Sequence, residues 1–138
     1  MNKDITLDMR LEKARELRKQ GYNCSQCVFM AFDDVHELPT EIAAAFSVGL
    51  GSGVGGQRQV CGTVSAMTML LGRKYYEAPQ NKATMYKRVQ ECSARFANSN
   101  GSIVCGELLA DRPNRKPCMA YIEDSVGILH EYISRCSD

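Results

Sequence analysis

Cysteine is the residue type with the most chemistry to offer in this chain. Seven of the 138 residues are cysteines: Cys24, Cys27, Cys61, Cys92, Cys105, Cys118 and Cys136. The segment 1–19 mixes acidic and basic residues and holds no apolar run of signal-peptide length, so we expect a cytoplasmic protein. Because the cytosol keeps thiols reduced, this density of cysteines indicates metal ligation or thiol redox chemistry in preference to structural disulfides. Some of the cysteines are expected to be small buried hydrophobes.

The first two cysteines lie at the start of a predicted helix. Asn23 is a good N-cap residue and Gln26 completes the capping-box pattern, which predicts a helix over about 24–36. Unpaired amide groups and the positive end of the helix dipole favour a thiolate at Cys24. The spacing of Cys24 and Cys27 is used by dithiol oxidoreductases and by metal sites alike. A thioredoxin-like fold is disfavoured, because the surrounding pattern is helical and lacks a βαβ unit.

The third cysteine follows a glycine-rich run. Cys61 follows GLGSGVGGQRQ at 49–59 with one residue between, and this run predicts a loop. Both the next helix start and Arg58 favour a thiolate at Cys61. The run contains a G-x-G-x-x-G pattern, but a helix precedes it instead of a strand, so we discount dinucleotide binding. The run is either a flexible connector or a segment whose amides pack against sulfurs, a cluster or a small ligand. The candidate glycines for cofactor contacts are Gly53, Gly55, Gly56 and Gly62.

The last four cysteines divide into two kinds by their surroundings. Cys105 and Cys118 bracket the polar segment ADRPNRKP, at the edges of irregular chain where ligands can converge. Cys92 and Cys136 continue apolar stripes at helical intervals, so we predict that both fill core positions.

Apolar residues recur at intervals of three and four along most of the chain, which predicts an all-α protein. No segment alternates apolar and polar residues for long enough to predict a sheet, and no composition shift marks a second domain. We therefore predict that 1–138 forms a single compact bundle of about five to six helices with a glycine-rich loop. The predicted helices cover approximately 5–19, 24–36, 40–48, 61–75, 80–98 and 122–136.

Charge and hydropathy argue against several classes of partner. Lys and Arg total 17 against 16 Asp and Glu, so the net charge is close to zero and gives no reason to expect binding to nucleic acid. No stretch approaches the roughly 20 apolar residues of a spanning helix, so we predict no membrane insertion. His36 and His130 lie near predicted helix ends or polar neighbours, and we predict that both are solvated.

Several blocks of the sequence together resemble a known family. They are Asn23-Cys24-Ser25-Gln26, the glycine run leading into Cys61-Gly62, the segment 101–105 that ends in Cys105, and Cys118. These blocks resemble the C_GCAxxG_C_C family of redox-active proteins over nearly the whole chain. The resemblance implies that Cys24, Cys61, Cys105 and Cys118 are the hallmark cysteines, and it leaves Cys27 outside the set.

The resemblance implies redox activity or an iron–sulfur cluster, together with a link to a transport system. One block departs from the family pattern: Cys-Gly-Ala-x-x-Gly is here Cys-Gly-Thr-Val-Ser-Ala, with Thr63 and Ala66 in place of two small residues. This departure bears on any role that needs the tightest helix approach.

Our leading hypothesis is that the four hallmark cysteines converge in space, as redox-active residues or as metal ligands. They would then transfer electrons through an iron–sulfur cluster, or exchange disulfides without a cofactor, with Cys24 attacking and a second cysteine resolving. A structural zinc protein or a metal-free adaptor is the alternative. The redox partner and the oligomeric state are not indicated. Cys27 is predicted to fill a core position, because it shares its helical stripe with Val28 and Ala31.

Overall fold

The structure is a computed structural model that describes residues 1–113 and 115–136. Within these ranges the chain forms eight α-helices, one 3₁₀ turn and no strand, and six of the helices have seven or more residues. This result confirms the predicted all-α class. The helices are α1 (Leu7–Lys19), α2 (Cys24–Met30), α3 (Asp33–His36), α4 (Thr40–Val48), α5 (Gly62–Tyr75), α6 (Lys82–Asn100), α7 (Cys105–Leu108) and α8 (Cys118–Arg135), with the 3₁₀ turn at Pro79–Asn81.

Helix α5 lies at the centre of the bundle. It packs against α2, α6 and α8, and α1 packs across α2 and α8. Leu70 and Leu71 of α5 and Ile122 and Leu129 of α8 are fully buried in the shared core. Burying a side chain of this size contributes about 1.5–3 kcal/mol, so the core holds α5 firmly among its neighbours.

The helix predicted over 24–36 is interrupted, and the prediction was wrong in this respect. The carbonyl oxygen of Ala31 accepts a hydrogen bond from Nη1 of the buried Arg10, at 2.9 Å. Arg10 also forms a bidentate ion pair with Asp34 and donates from Nε to Nδ1 of His130 at 3.0 Å. Because this cation takes a backbone carbonyl from the helix, the chain turns between α2 and α3.

His36 is not solvated, contrary to the prediction from sequence. Its side chain is buried and its ring stacks on Phe29 with centroids 4.7 Å apart. Nδ1 accepts the amide of Leu38 at 2.9 Å, and burial lowers the pKa of His36. Val35 and His36 are the buried residues of the short helix α3, so this helix presents His36 to the core.

Residues 49–57 form consecutive turns between α4 and α5. Gly53 has a left-handed φ of +72°, and a Cβ there would collide with the backbone of Arg58 and Gln59. Only glycine fits that position without a shift of the chain.

In the described part of the chain, no helix is both long enough and apolar enough to cross a membrane.

Candidate functional site

Cys24, Cys61, Cys105 and Cys118 line one cavity of about 70 Å³. The structure thus brings together the four cysteines singled out from the sequence, which lie far apart along the chain. Their roles as redox-active residues or ligands stay a prediction. The other residues that line the cavity are Arg18, Asn23, Ser52, Arg58, Gly62, Thr63, Leu108, Leu109 and Tyr121.

Each of these four cysteines lies where a helix begins. Cys24, Cys105 and Cys118 are the first residues of α2, α7 and α8, and Cys61 is the N-cap residue of α5. The first amide groups of a helix have no partner within the helix and carry partial positive charge. Two of these helices, α5 and α8, are long, so the positive ends of their dipoles lie beside the sulfurs.

A capping box positions Cys24, as the sequence predicted. The side chain of Asn23 accepts from the amide of Gln26 at 3.0 Å, and the side chain of Gln26 accepts from the amide of Asn23 at 3.0 Å. Nδ2 of Asn23 also donates to the carbonyl of Val48 at 3.0 Å. The start of α2 is therefore tied to the end of α4.

A short antiparallel pairing of the backbone holds Cys61 next to Cys105. The amide of Cys61 donates to the carbonyl of Ile103 at 2.7 Å, and the amide of Cys105 donates to the carbonyl of Gln59 at 2.6 Å. These two bonds flank an isolated antiparallel bridge. The pairing joins two segments whose irregular sequences gave no sign of it.

Gly62 lets the sulfur of Cys24 reach the start of α5. A Cβ at this position would lie 2.8 Å from Sγ of Cys24, 2.9 Å from the carbonyl oxygen of Leu50 and 3.1 Å from Cβ of Ser25. Real Cβ atoms do not approach neighbours so closely. The absence of a side chain at Gly62 therefore places the sulfur of Cys24 directly beside the residue that follows Cys61.

The thiols of the cavity influence each other's protonation. Burial raises the pKa of Cys61, hydrogen bonding by Thr63 opposes that rise, and a charge on Cys24 adds to it. Burial also raises the pKa of Cys118, where a charge on Cys24 adds to the rise and Arg18 opposes it. Cys24 therefore lies within electrostatic range of both other sulfurs.

A buried hydroxyl pair supports Cys61, and sequence reasoning missed it. Sγ of Cys61 lies 3.1 Å from Oγ1 of Thr63, which accepts a hydrogen bond from Oγ of Ser125 at 2.8 Å. Thr63 and Ser125 are fully buried. Since the Ser125 hydroxyl fills one acceptor site of Thr63, the hydroxyl hydrogen of Thr63 is free to point at the sulfur. The only signal in the sequence was the departure at position 63 from the family pattern.

The other three cysteines do not line the cavity. Cys27 is fully buried, its thiol faces the carbonyl of Tyr22 at 3.6 Å, and burial raises its pKa to about 11. Cys92 is buried in α6, as predicted, and burial raises its pKa to about 12. Cys136 is only partly buried, at the C-terminal end of α8, so the prediction of a core position holds for it in part.

The four candidate glycines have different positions. Gly62 is part of the cavity wall, whereas Gly53, Gly55 and Gly56 are not. Gly53 is buried within the turns, and Gly55 and Gly56 are exposed and donate their amides to carbonyl oxygens of the same segment. Of these four glycines, Gly62 alone can therefore contact a ligand in this cavity directly.

Four thiols at one cavity match the donor chemistry of iron–sulfur and zinc sites. Among residues 1–113 and 115–136, however, no group of three or more His, Cys, Asp or Glu side chains is placed so that it could hold a metal ion. The four thiols of the cavity therefore do not form a preassembled set of metal ligands in the described part of the chain.

Comparison with known proteins assigns the chain to a family. The family model described as "Putative redox-active protein (C_GCAxxG_C_C)" matches residues 22–132, a range that includes all four cysteines of the cavity. No curated protein and no solved structure matches the chain. The match covers most of the 138 residues and confirms the resemblance seen in the sequence. The chain belongs to the C_GCAxxG_C_C family of redox-active proteins.

Proposed function

We propose that this protein exchanges thiols and disulfides, with Cys24 and Cys61 as its working pair. The family description supports a redox role in general. The observation that carries the finer proposal is the approach at Gly62, where the sulfur of Cys24 lies against the first turn of α5, next to Cys61. A disulfide needs two Cα atoms within about 7 Å and converging side chains, and this approach brings the sulfur of Cys24 to the residue that follows Cys61.

Exposure distinguishes the roles of the two sulfurs. Cys24 is half-buried, whereas Cys61 is 6% exposed. A substrate disulfide therefore meets Cys24 first. The Cys24 thiolate attacks one sulfur of the substrate, forms a mixed disulfide and releases the first thiol. The Cys61 thiolate, stabilised by Thr63, then attacks Sγ of Cys24 and releases the second thiol, so the protein loses two electrons and the substrate gains them.

Cys105 and Cys118 supply a second dithiol at the same cavity. Charges on Cys24 and on Cys105 both act on the Cys118 thiol. These electrostatic influences link Cys61 to Cys24 and Cys118 to both Cys24 and Cys105, and all four cysteines line the same cavity. In our proposal Cys118 attacks the Cys24–Cys61 disulfide, and exchange leaves the first pair reduced and the second pair oxidised.

Disulfide mapping of two variants tests the working pair. Anaerobically reduced protein is treated with one equivalent of a small disulfide, its free thiols are alkylated, and the linked peptides are identified. We expect a Cys24–Cys61 link, or a Cys105–Cys118 link after exchange. Cys61→Ala should abolish the first link and leave Cys24 as a mixed disulfide or linked to Cys118. Cys27→Ala is the matched control, since Cys27 is a neighbouring thiol outside the cavity wall, and it should leave the products unchanged.

Two results would contradict the proposal. A dominant Cys24–Cys27 link with an unreactive Cys61 would assign the chemistry to the other pair. Stoichiometric iron or zinc in protein purified without oxygen, lost in Cys61→Ala and retained in Cys27→Ala, would favour an iron–sulfur or structural zinc protein instead. Metal analysis and an absorption spectrum of each variant therefore accompany the mapping, and circular dichroism shows that each variant is folded.

A further inference from the structure

The wall of the cysteine cavity is basic and contains no acid. Arg18 and Arg58 are its charged residues apart from the thiols, and no Asp or Glu lines it. Both arginines are exposed at the cavity. Within the described ranges, neither guanidinium takes part in an ion pair. An opening lined by charges of one sign raises the local concentration of ligands with the opposite charge.

The backbone holds Arg58 in a costly conformation. Its φ is +62°, in the left-handed region that arginine rarely adopts. Its amide donates to the carbonyl of Ser52 at 3.1 Å, and its carbonyl accepts from the amide of Gly106 at 3.1 Å. Nη1 then donates to Sγ of Cys105 at 3.6 Å. Residues with a strained backbone are held by their surroundings, and they occur most often at functional sites. Here the strained backbone of Arg58 directs its cation at a sulfur of the cavity.

Arg18 brings a second cation to the wall of the cavity. It lies in the last turn of α1, and its Nη1 donates to the carbonyl of Tyr22 at 3.3 Å. Its charge acts on Cys118, where it opposes the rise in pKa that burial causes. One guanidinium group therefore contacts the sulfur of Cys105, the other acts on Cys118, and both arginines line the cavity that Cys24 also lines.

The size of the cavity restricts what can enter. A volume of about 70 Å³ has room for only a few water molecules. Pockets that enclose a drug-sized ligand or a nucleotide are usually about 300–1,000 Å³. The cavity therefore admits one short arm of a small molecule, with the reactive bond at its mouth.

We propose that the oxidant reduced at this site is a small disulfide whose short arms end in carboxylates. This inference rests on the proposed thiol–disulfide exchange and adds the charge and size of the substrate. One carboxylate lies between Arg18 and Arg58 and brings the S–S bond to Cys24. Two successive exchanges convert the substrate to two anionic thiols and the two protein thiols to one disulfide, so that atoms and electrons balance.

Three small disulfides with arms of similar length test the inference: dithiodipropionate is anionic, bis(2-hydroxyethyl) disulfide is neutral and cystamine is cationic. The rate of protein oxidation by each is divided by the rate at which free dithiothreitol reduces the same compound, because intrinsic reactivity depends on the leaving thiol. We expect the normalised rate to fall from the anionic to the cationic compound by about tenfold or more at low salt. Added salt should reduce that preference.

Charge variants identify the source of the preference. Arg58→Gln and Arg18→Gln should each reduce the preference for the anionic compound severalfold. Arg73→Gln removes the same charge from α5 about 16 Å along the helix from Gly62, and it should retain the preference. Equal normalised rates for all three compounds, with normal disulfide formation, would refute this inference and leave the proposed function standing. Failure of all three compounds to oxidise the reduced protein would refute the proposed function as well.

Discussion

Replacing Gly62 by alanine tests the close approach on which the candidate site depends. The added methyl group would lie 2.8 Å from Sγ of Cys24 and 2.9 Å from the carbonyl oxygen of Leu50. Leu50 contributes backbone, and Cys24 lies in the first turn of the capped helix α2, so neither atom belongs to a long flexible side chain. Gly62 has no left-handed φ, so the substitution acts through crowding and not through backbone strain.

The expected loss of stability follows from two opposing effects. Adding a methyl group to a well-packed site costs about 1–3 kcal/mol, while alanine gains up to about 1 kcal/mol over glycine within a helix. We therefore expect Gly62→Ala to destabilise the fold by about 1–2 kcal/mol. With a urea m-value of about 1–3 kcal/mol/M, the unfolding midpoint should fall by about 0.3–2 M.

Gly72→Ala provides a matched control in the same helix. Nothing lies within 4 Å of a Cβ at Gly72, so this variant should gain helix propensity without crowding and be more stable by about 0.5–1 kcal/mol. Urea unfolding of both variants, followed by circular dichroism, measures the difference. If Gly62→Ala were as stable as Gly72→Ala, the sulfur of Cys24 would not lie against the start of α5. Slower formation of the Cys24–Cys61 disulfide in Gly62→Ala is the expected chemical counterpart.

Three further substitutions test the hydrogen bonds and charges, and one labelling experiment tests the burial of a cysteine. Thr63→Val removes the hydroxyl beside Cys61, so the pKa of Cys61 should rise further and its alkylation at a fixed pH should slow; an unchanged pH profile would show that Thr63 does not donate to the sulfur. Arg10→Met leaves Asp34 without its buried cation and should destabilise the fold by about 3–5 kcal/mol, which urea unfolding measures. Although burial raises the pKa of Asp34, hydrogen bonds from Arg10 and the Asn2 amide outweigh it and lower that pKa. The ion pair therefore stabilises the fold above the ordinary carboxyl pKa of about 3.9 and loses that effect as pH falls through the folded pKa. Asp34→Asn should flatten the acid side of the stability profile, and an equally steep profile would assign acid unfolding to other carboxyls. Cys92 should resist alkylation at neutral pH in the folded protein and react in urea, since burial raises its pKa to about 12; labelling without urea would contradict its burial.

Local sequence was sufficient for most of the helices. The predicted range 40–48 coincides with α4, and Asn23 and Gln26 form the capping box that their types and spacing indicated. Caps and periodic apolar faces depend on residues three or four apart, so a single stretch of sequence contains the whole interaction. The last helix begins at Cys118, directly after its N-cap residue Pro117, and not near the predicted start at 122.

Residues that are polar in sequence and buried in the structure were beyond such reasoning. Arg10 looks like one more charge on an amphipathic helix, yet it is buried beside Asp34 and takes the carbonyl of Ala31 out of α2. His36 likewise lies among polar neighbours and stacks on Phe29. A buried charge requires partners, and those of Arg10 are 21 to 120 residues away, so they leave no periodic signal in the sequence.

The sequence alone determined the helical class, the family and which four cysteines to examine, because helix starts and hallmark spacings are local features. It placed Cys24 and Cys27 on one helical stripe and predicted a core position for Cys27. Only the tertiary structure shows where the two thiols lie: Cys24 lines the cavity, and Cys27 packs into the core. The separation depends on Gly62, which has no side chain to keep the sulfur of Cys24 away from the start of α5. Such an approach between two helices follows from how they pack, and no interval within one helix encodes it.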